Sequence, residues 1–125
     1  MLIQEGVANR SLWNLVLGAA AFCFCSSPAS ATVVTPAAAV TITQSYAYTA
    51  YNGGDFVFST SDTVPGCSSG WYIKSTDPGF KAAVAAVLTA QAAGGYVVVY
   101  GDTADLWSGS SGQYCHVQAV GMSSS

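Results

Sequence analysis

Gly66-Cys67-Ser68-Ser69-Gly70 satisfies the G-x-S-x-G spacing of a nucleophile elbow, and the chain holds a single histidine, His116, that could serve such a serine. A Ser68/His116/Asp105 triad is therefore the nucleophilic site that the residue types allow. The chemistry asks for more than spacing, because an elbow is a sharp turn from strand into helix within a large α/β sheet. Here Trp71-Tyr72-Ile73 follows Gly70 and reads as a strand. Hydrolysis is kept only because Ser68 and His116 each neighbour a cysteine, Cys67 and Cys115, that a disulfide would draw together. Metal chemistry has less support, since one histidine and scattered aspartates give no multi-ligand spacing. Asp102 and Asp105 could share a Ca²⁺ with loop carbonyls, but a solvated acidic loop is the plainer reading. No glycine-rich loop leads from a strand into a helix, so no nucleotide is expected, and no cofactor of any kind.

Binding chemistry is better represented. Gly101 to Gly112 (GDTADLWSGSSG) reads as a loop carrying Asp102, Asp105, Trp107, Ser110 and Ser111. A tryptophan in a Gly/Ser loop beside carboxylates can stack on the apolar face of a sugar while Asp and Ser bond its hydroxyls. The alternatives are a Trp107 folded back as a cap, or one buried between subunits. Trp71, within a strand, reads as core or as packing on the disulfide.

The N-terminal third is of a different kind. Arg10 lies in a polar lead, Leu15 to Cys25 (LVLGAAAFCFC) is apolar, and Pro28-Ala29-Ser30-Ala31 has the small-x-small pattern of a signal-peptidase site. The apolar run, of about eleven residues, is well short of the roughly 20 needed to span a bilayer. Residues 1–31 therefore read as a secretory signal peptide, which predicts a secreted or periplasmic protein with no membrane span after cleavage. Cys23 and Cys25 leave with it. Cys67 and Cys115 remain, and in an oxidising compartment they predict one disulfide, two free buried thiols being the alternative.

Beyond residue 31 the charges are Lys74 and Lys81 against Asp55, Asp62, Asp77, Asp102 and Asp105, with no Arg or Glu. Such a surface cannot neutralise a run of phosphates, so nucleic acid and anionic membranes are poor partners. Ser, Thr, Tyr, Asn and Gln supply the polarity instead, which suits neutral hydroxyl-rich ligands or other protein subunits.

The elements that must position these residues follow from periodicity. Residues 32–39 (TVVTPAAA) have no period and read as a flexible arm. In Val40 to Tyr51 the positions Val40, Ile42, Tyr46, Tyr48 and Ala50 share one parity, as in a half-buried strand. Asn52-Gly53-Gly54-Asp55 is a turn, Phe56 to Thr60 completes a hairpin, and Trp71 to Lys74 is a third strand. Asp77 and Pro78 suit the N-cap and first position of a helix that Gly94-Gly95 ends. Phe80, Val84, Val87, Leu88 and Gln91 form its apolar stripe, and the opposite face is mostly alanine. That face reflects helix propensity or the approach of a second subunit, for which Lys81, Ala82, Ala85 and Thr89 are the candidate contacts. Tyr96 to Tyr100 and Tyr114 to Val120 are the last strands, and residues 123–125 read as a frayed tail.

The order β-β-β-α-β-β, with one helix between the third and fourth strands, predicts a mainly β, α+β domain over residues 40–122. It is the pattern of a five-stranded Greek-key barrel, the OB-fold. The Gly66–Tyr72, Ser75–Lys81, Tyr96–Tyr100 and Tyr114–Val117 segments together resemble a group of small exported bacterial proteins. More distantly, the Phe80-Lys81 helix start, the glycine stop and the strand after it resemble the B subunits of AB-five toxins, the subtilase cytotoxin B subunit in particular. That resemblance implies a homo-oligomeric ring of five chains with helices lining the centre, a host-cell glycan ligand and an exported A-type partner subunit. The function expected is a non-catalytic binding subunit; a small envelope structural or interaction protein without a sugar ligand is the alternative.

Overall fold

A computed structural model describes residues 32–124, so the leader expected at residues 1–31 lies outside the described residues, as does Ser125. The elements are β1 (Val33–Val34), β2 (Val40–Ala47), a single 3-10 turn (Tyr51–Gly53), β3 (Phe56–Thr60), β4 (Gly70–Ile73), α1 (Phe80–Ala93), β5 (Tyr96–Leu106) and β6 (Tyr114–Ser123). Among the described residues the chain is mainly β, with one helix and one disulfide, as the order of sequence elements and the Cys67/Cys115 pair predict.

β2 pairs antiparallel with β3, and β3 with β4; β4 runs parallel to β6, which pairs antiparallel with β5. Two rungs, Val40–Val97 and Thr41–Tyr96, join β5 back to β2 and close a ring of five strands. Alternation then sorts the side chains. Phe56 and Phe58, Trp71 and Ile73, Val97 and Val99, and Cys115 and Val117 all point inward and form the buried core. α1 lies against the ring with Val87 and Ala90 buried, and Phe80, Ala83 and Val84 pack partly buried against the same core. Leu88 belongs to the stripe by spacing alone; it is 46% exposed, because the helix is seated on its 80/83/84/87/90 face.

Cys67 and Cys115 form the disulfide, both sulfurs fully buried, across a sequence separation of 48. Closing a loop of that size removes about 4 kcal/mol of chain entropy from the unfolded state. Trp71 packs within the same core and donates its indole N–H to Thr60 Oγ1 at 3.0 Å. Gly101 gives it room: a Cβ there would lie 2.6 Å from the Trp71 ring.

Local details depart from the expectations in four places. The arm is tied down, with Val33–Val34 paired to Gly101 and Asp102 of β5 and the Thr32 carbonyl accepting from Thr103. β5 runs to Leu106, through register shifts, so half of the expected 101–112 loop is strand. β6 likewise continues through Ser123, into the expected tail. A bulge between Ile42 and Gln44 reverses the parity of β2, turning Ser45 inward to Gln91 and Tyr46 outward.

The helix also begins later than its capping signals suggest. Asp77-Pro78-Gly79-Phe80 is a tight turn closed by the Phe80 N–H on the Asp77 carbonyl, with Pro78 at its second position, and Gly79 is the N-cap. The Asp77 carboxylate is taken by the Lys74 backbone N–H and by His116 instead of the helix. The C-terminal stop is as expected: Gly94 is left-handed at φ 64°, and the Gly94 and Gly95 N–H groups close back on Gln91 and Ala90.

Candidate functional site

Side chains on the outer face of β3, β4 and β6 build a second, smaller assembly around the 107–113 loop. Its apolar part is Val57, Tyr72 and Trp107, with Tyr48 and Tyr114 packed against them. β3 is consequently buried on both faces, inward by Phe56 and Phe58 and outward where Trp107 covers Val57.

Trp107 is 4% exposed and anchored by its indole N–H, which donates to Asp55 Oδ2 at 3.1 Å. Tyr48 lies against it with ring centroids 5.3 Å apart, Tyr51 meets it edge-on at 6.1 Å, and Tyr114 does so at 5.8 Å. Tyr46 continues the row beside Tyr48 at 6.1 Å. Between these rings, Val57 and Ser110 lies a concavity of about 420 Å³. Its accessible rings are Tyr46 and Tyr51, 49% and 57% exposed, while the indole is the wall that orders them. Tyr51 Oη also donates to the Gly109 carbonyl at 2.8 Å, tying the turn after β2 to the loop after β5.

Asp55 was not singled out by its sequence context, yet it organises the site. It is 7% exposed, and besides the indole it accepts the Ser75 backbone N–H at 3.0 Å on Oδ1. A buried carboxylate demands such partners, since leaving it unpaired is costly.

A charged cluster adjoins this wall. Asp105 accepts from Tyr72 Oη at 2.8 Å and Lys74 Nζ at 2.6 Å, and His116 Nδ1 lies 3.2 Å from it. The other ring nitrogen, Nε2, is 2.8 Å from Asp77 Oδ2. Burial pushes the Asp105 carboxyl up, but hydrogen bonds from Lys74 and Tyr72 and the charges of Lys74 and His116 prevail and hold it below its ordinary value. Burial, and then the bond to Asp105, raise Tyr72 far above the usual phenol. The hydrogen bond to Asp105 raises Lys74 in the same way.

Of the residues considered for catalysis, Asp105 and His116 do meet, but Ser68 is not with them. Both imidazole nitrogens face carboxylates, and the Ser68 hydroxyl is hydrogen-bonded to Gln113 Oε1 at 2.9 Å. Among the described residues no group of three or more side chains is arranged to hold a metal ion. Asp102 turns its carboxylate to the Ala104 N–H.

Of the residues considered for sugar binding, Trp107 and Ser110 line the tyrosine concavity and Asp105 lies beyond the indole in the charged cluster. Ser111 is exposed and Asp102 belongs to the β5–β6 ladder. The sequence does not mark the tyrosines as a site because β2 reads as a single-parity strand; the signal it does hold is their density in Tyr46-Ala47-Tyr48-Thr49-Ala50-Tyr51, just before a turn.

On α1, Lys81, Ala82, Ala85 and Thr89 are all exposed, together with Leu88. Among the described residues no helix is long and apolar enough to cross a membrane. Compared with known proteins, the chain matches no family description, no curated protein and no solved structure.

Proposed function

We propose that this chain is an exported, non-catalytic binding subunit that takes a glycan on its tyrosine-walled concavity. The observation that carries the reading is the placement of Tyr46, Tyr48, Tyr51 and Tyr114 around a locked indole, at the junction of the 48–55 turn and the 107–113 loop. Aromatic rings offer flat apolar faces to the C–H side of a sugar, and Tyr hydroxyls, Ser110 and loop carbonyls offer the polar partners.

The order of pairing supports an OB-fold. Strands β2, β3, β4, β6 and β5 neighbour one another in that sequence, β4 and β6 are parallel, and the helix falls between β4 and β5. In that fold, oligosaccharides and oligonucleotides bind at the loops joining the first two and last two strands. Those loops carry Tyr48, Tyr51 and Trp107 here, with Tyr46 and Tyr114 on the strand ends that flank them. With Lys74 and Lys81 as the cations among the described residues, the sugar is favoured over the nucleic acid. The buried disulfide fits an oxidising, secreted or periplasmic location.

A titration of the oxidised protein on a glycan array tests the reading, with Tyr51→Ala and Tyr46→Ala as variants that remove exposed rings. Binding lost in both supports it; a blank array rejects it. The resemblance to toxin B subunits adds a ring of five copies packed through Lys81, Ala82, Ala85 and Thr89, with an A-type partner subunit. Light scattering on the purified protein decides the copy number.

A second reading, an envelope interaction protein with no sugar ligand, draws on the same helix face. Leu88 stands exposed among the alanines there, an apolar surface that a different protein could cover. Recovery of a defined hetero-complex from the periplasm, with an array that stays blank, would favour it.

A further inference from the structure

Two concavities meet at Trp107. Beyond the indole from the tyrosines lies a second, of about 400 Å³, walled by Asn52, Tyr72, Lys74, Thr76, Asp105 and Ser108. The crest between the two is made of contacts from the Tyr51–Gly53 turn to the loop after β5. Tyr51 Oη bonds the Gly109 carbonyl, and the Asn52 amide and Ser108 hydroxyl face each other at 3.3 Å.

Asn52 holds this crest in an uncommon backbone state. Its φ is 51°, a left-handed conformation that asparagine adopts more readily than other residues with a side chain and that suits the turn it sits in. Asp55 Oδ2 lies 3.4 Å from the Asn52 side-chain amide while it accepts the indole N–H. Its Oδ1 holds the backbone of Ser75, at the floor of the second concavity. One buried carboxylate thus sets the tyrosine wall, the crest and the polar groove in a single arrangement.

We infer that one ligand occupies both hollows: a glycan of two or more sugar units lying across the crest, one ring against the tyrosines and the next in the polar groove. This rests on the glycan reading above and specifies its ligand as an oligosaccharide. The two halves differ in the sense that such a ligand requires. The first is aromatic and takes the apolar face of a ring. The second holds donors with hydrogens to spare, since Lys74 commits Nζ to Asp105 through one of its three N–H groups and the Thr76 hydroxyl stands exposed. These reach hydroxyl and ring oxygens. The Asn52–Ser108 pair between them is long and exposed, so the hydroxyls flanking a glycosidic linkage replace it at little cost.

An array displaying galactose, glucose, mannose and N-acetylglucosamine, each as mono-, di- and tetrasaccharide, tests this with the oxidised protein. Affinity is expected to rise about ten-fold from a monosaccharide to the disaccharide of the same sugar, the worth of one or two net hydrogen bonds. Thr76→Trp, at an exposed position, fills the groove and removes that gain while the monosaccharide signal persists; Lys74→Gln reduces it. Equal binding at every length, or a gain that survives Thr76→Trp, overturns the extended site and leaves the glycan reading standing. Silence across the whole array overturns both.

Discussion

Asp55 and Trp107 are 52 positions apart in sequence and are joined by a hydrogen bond of 3.1 Å from the indole N–H to the buried carboxylate. That contact fastens the turn after β2 to the loop after β5. The same carboxylate takes the Ser75 N–H, so a third segment, the one leading from β4 toward α1, is held by it as well.

Replacing Asp55 should therefore destabilise the whole outer assembly. Asp55→Ala leaves the indole and the Ser75 N–H without partners and costs about 2–4 kcal/mol. Asp55→Asn keeps one acceptor oxygen and costs less. Urea midpoints of the three proteins measure the difference; equal midpoints for Ala and Asn would show that the hydrogen bonds contribute nothing.

The exposed tyrosines and the buried indole should respond in opposite ways. Tyr46→Ala is expected to change stability by no more than about 0.5 kcal/mol, as surface substitutions do, while weakening glycan binding. Trp107→Ala should cost about 3–5 kcal/mol and disturb the site through its collapse. Calorimetric unfolding beside array binding separates the two, and a Trp107→Ala protein as stable as the native one would contradict the packing described.

Reduction gives a third outcome. The Cys67–Cys115 bridge joins the turn just before β4 to β6 within the core, so the Cys67→Ala/Cys115→Ala protein should lose about 4 kcal/mol in the loop-entropy picture, plus the cost of the smaller side chains. Guanidinium unfolding of the oxidised and substituted proteins supplies the numbers, and coincident curves would remove the disulfide from the stability account.

Stability should also fall at both ends of the pH scale, for reasons that can be assigned. Asp105 is depressed in the folded chain, so its contribution is complete above its ordinary value of 3.8 and declines as pH drops below that. Lys74 and Tyr72 are raised, so theirs are complete below the ordinary values of 10.5 and 10.0 and decline as pH climbs past them. Asp105→Asn should flatten the acid limb and remove the Lys74 share of the alkaline limb, while the part that comes from the burial of Tyr72 stays. Thermal midpoints across pH record this; an unchanged acid limb would place its origin in another carboxylate.

If the helix face assembles copies, a charge there should separate them. Ala85→Glu is exposed on α1 and is expected to leave the circular dichroism spectrum unchanged while lowering the mass found by light scattering. A native protein that is already monomeric would end the oligomer reading.

Some of this was legible from residues alone because it is local. Phe56 to Thr60 and Tyr96 to Tyr100 carry β-branched and aromatic side chains that state their strand character within a few positions. The helix declared its stop through Gly94-Gly95, where a left-handed residue is needed. Its start lies two residues beyond the Asp77 signal, because Asp77 is a good cap in isolation but has a stronger claim on its carboxylate from Lys74 and His116. No pattern inside residues 74–80 could report that His116, 39 positions away, would be the partner.

What the chain determined without its fold was the period of each segment, the pair of cysteines and the glycine punctuation. Each depends on neighbours a few bonds apart. Ring closure, the reversal of β2 at its bulge, the burial of Trp107 and the exposure of Tyr46 and Tyr51 were decided only in three dimensions. Periodicity tells which residues share a face. Which face is then covered, and which carboxylate reaches an indole across the molecule, depends on strands distant in sequence coming into contact, because burial and hydrogen-bond satisfaction are properties of the packed whole.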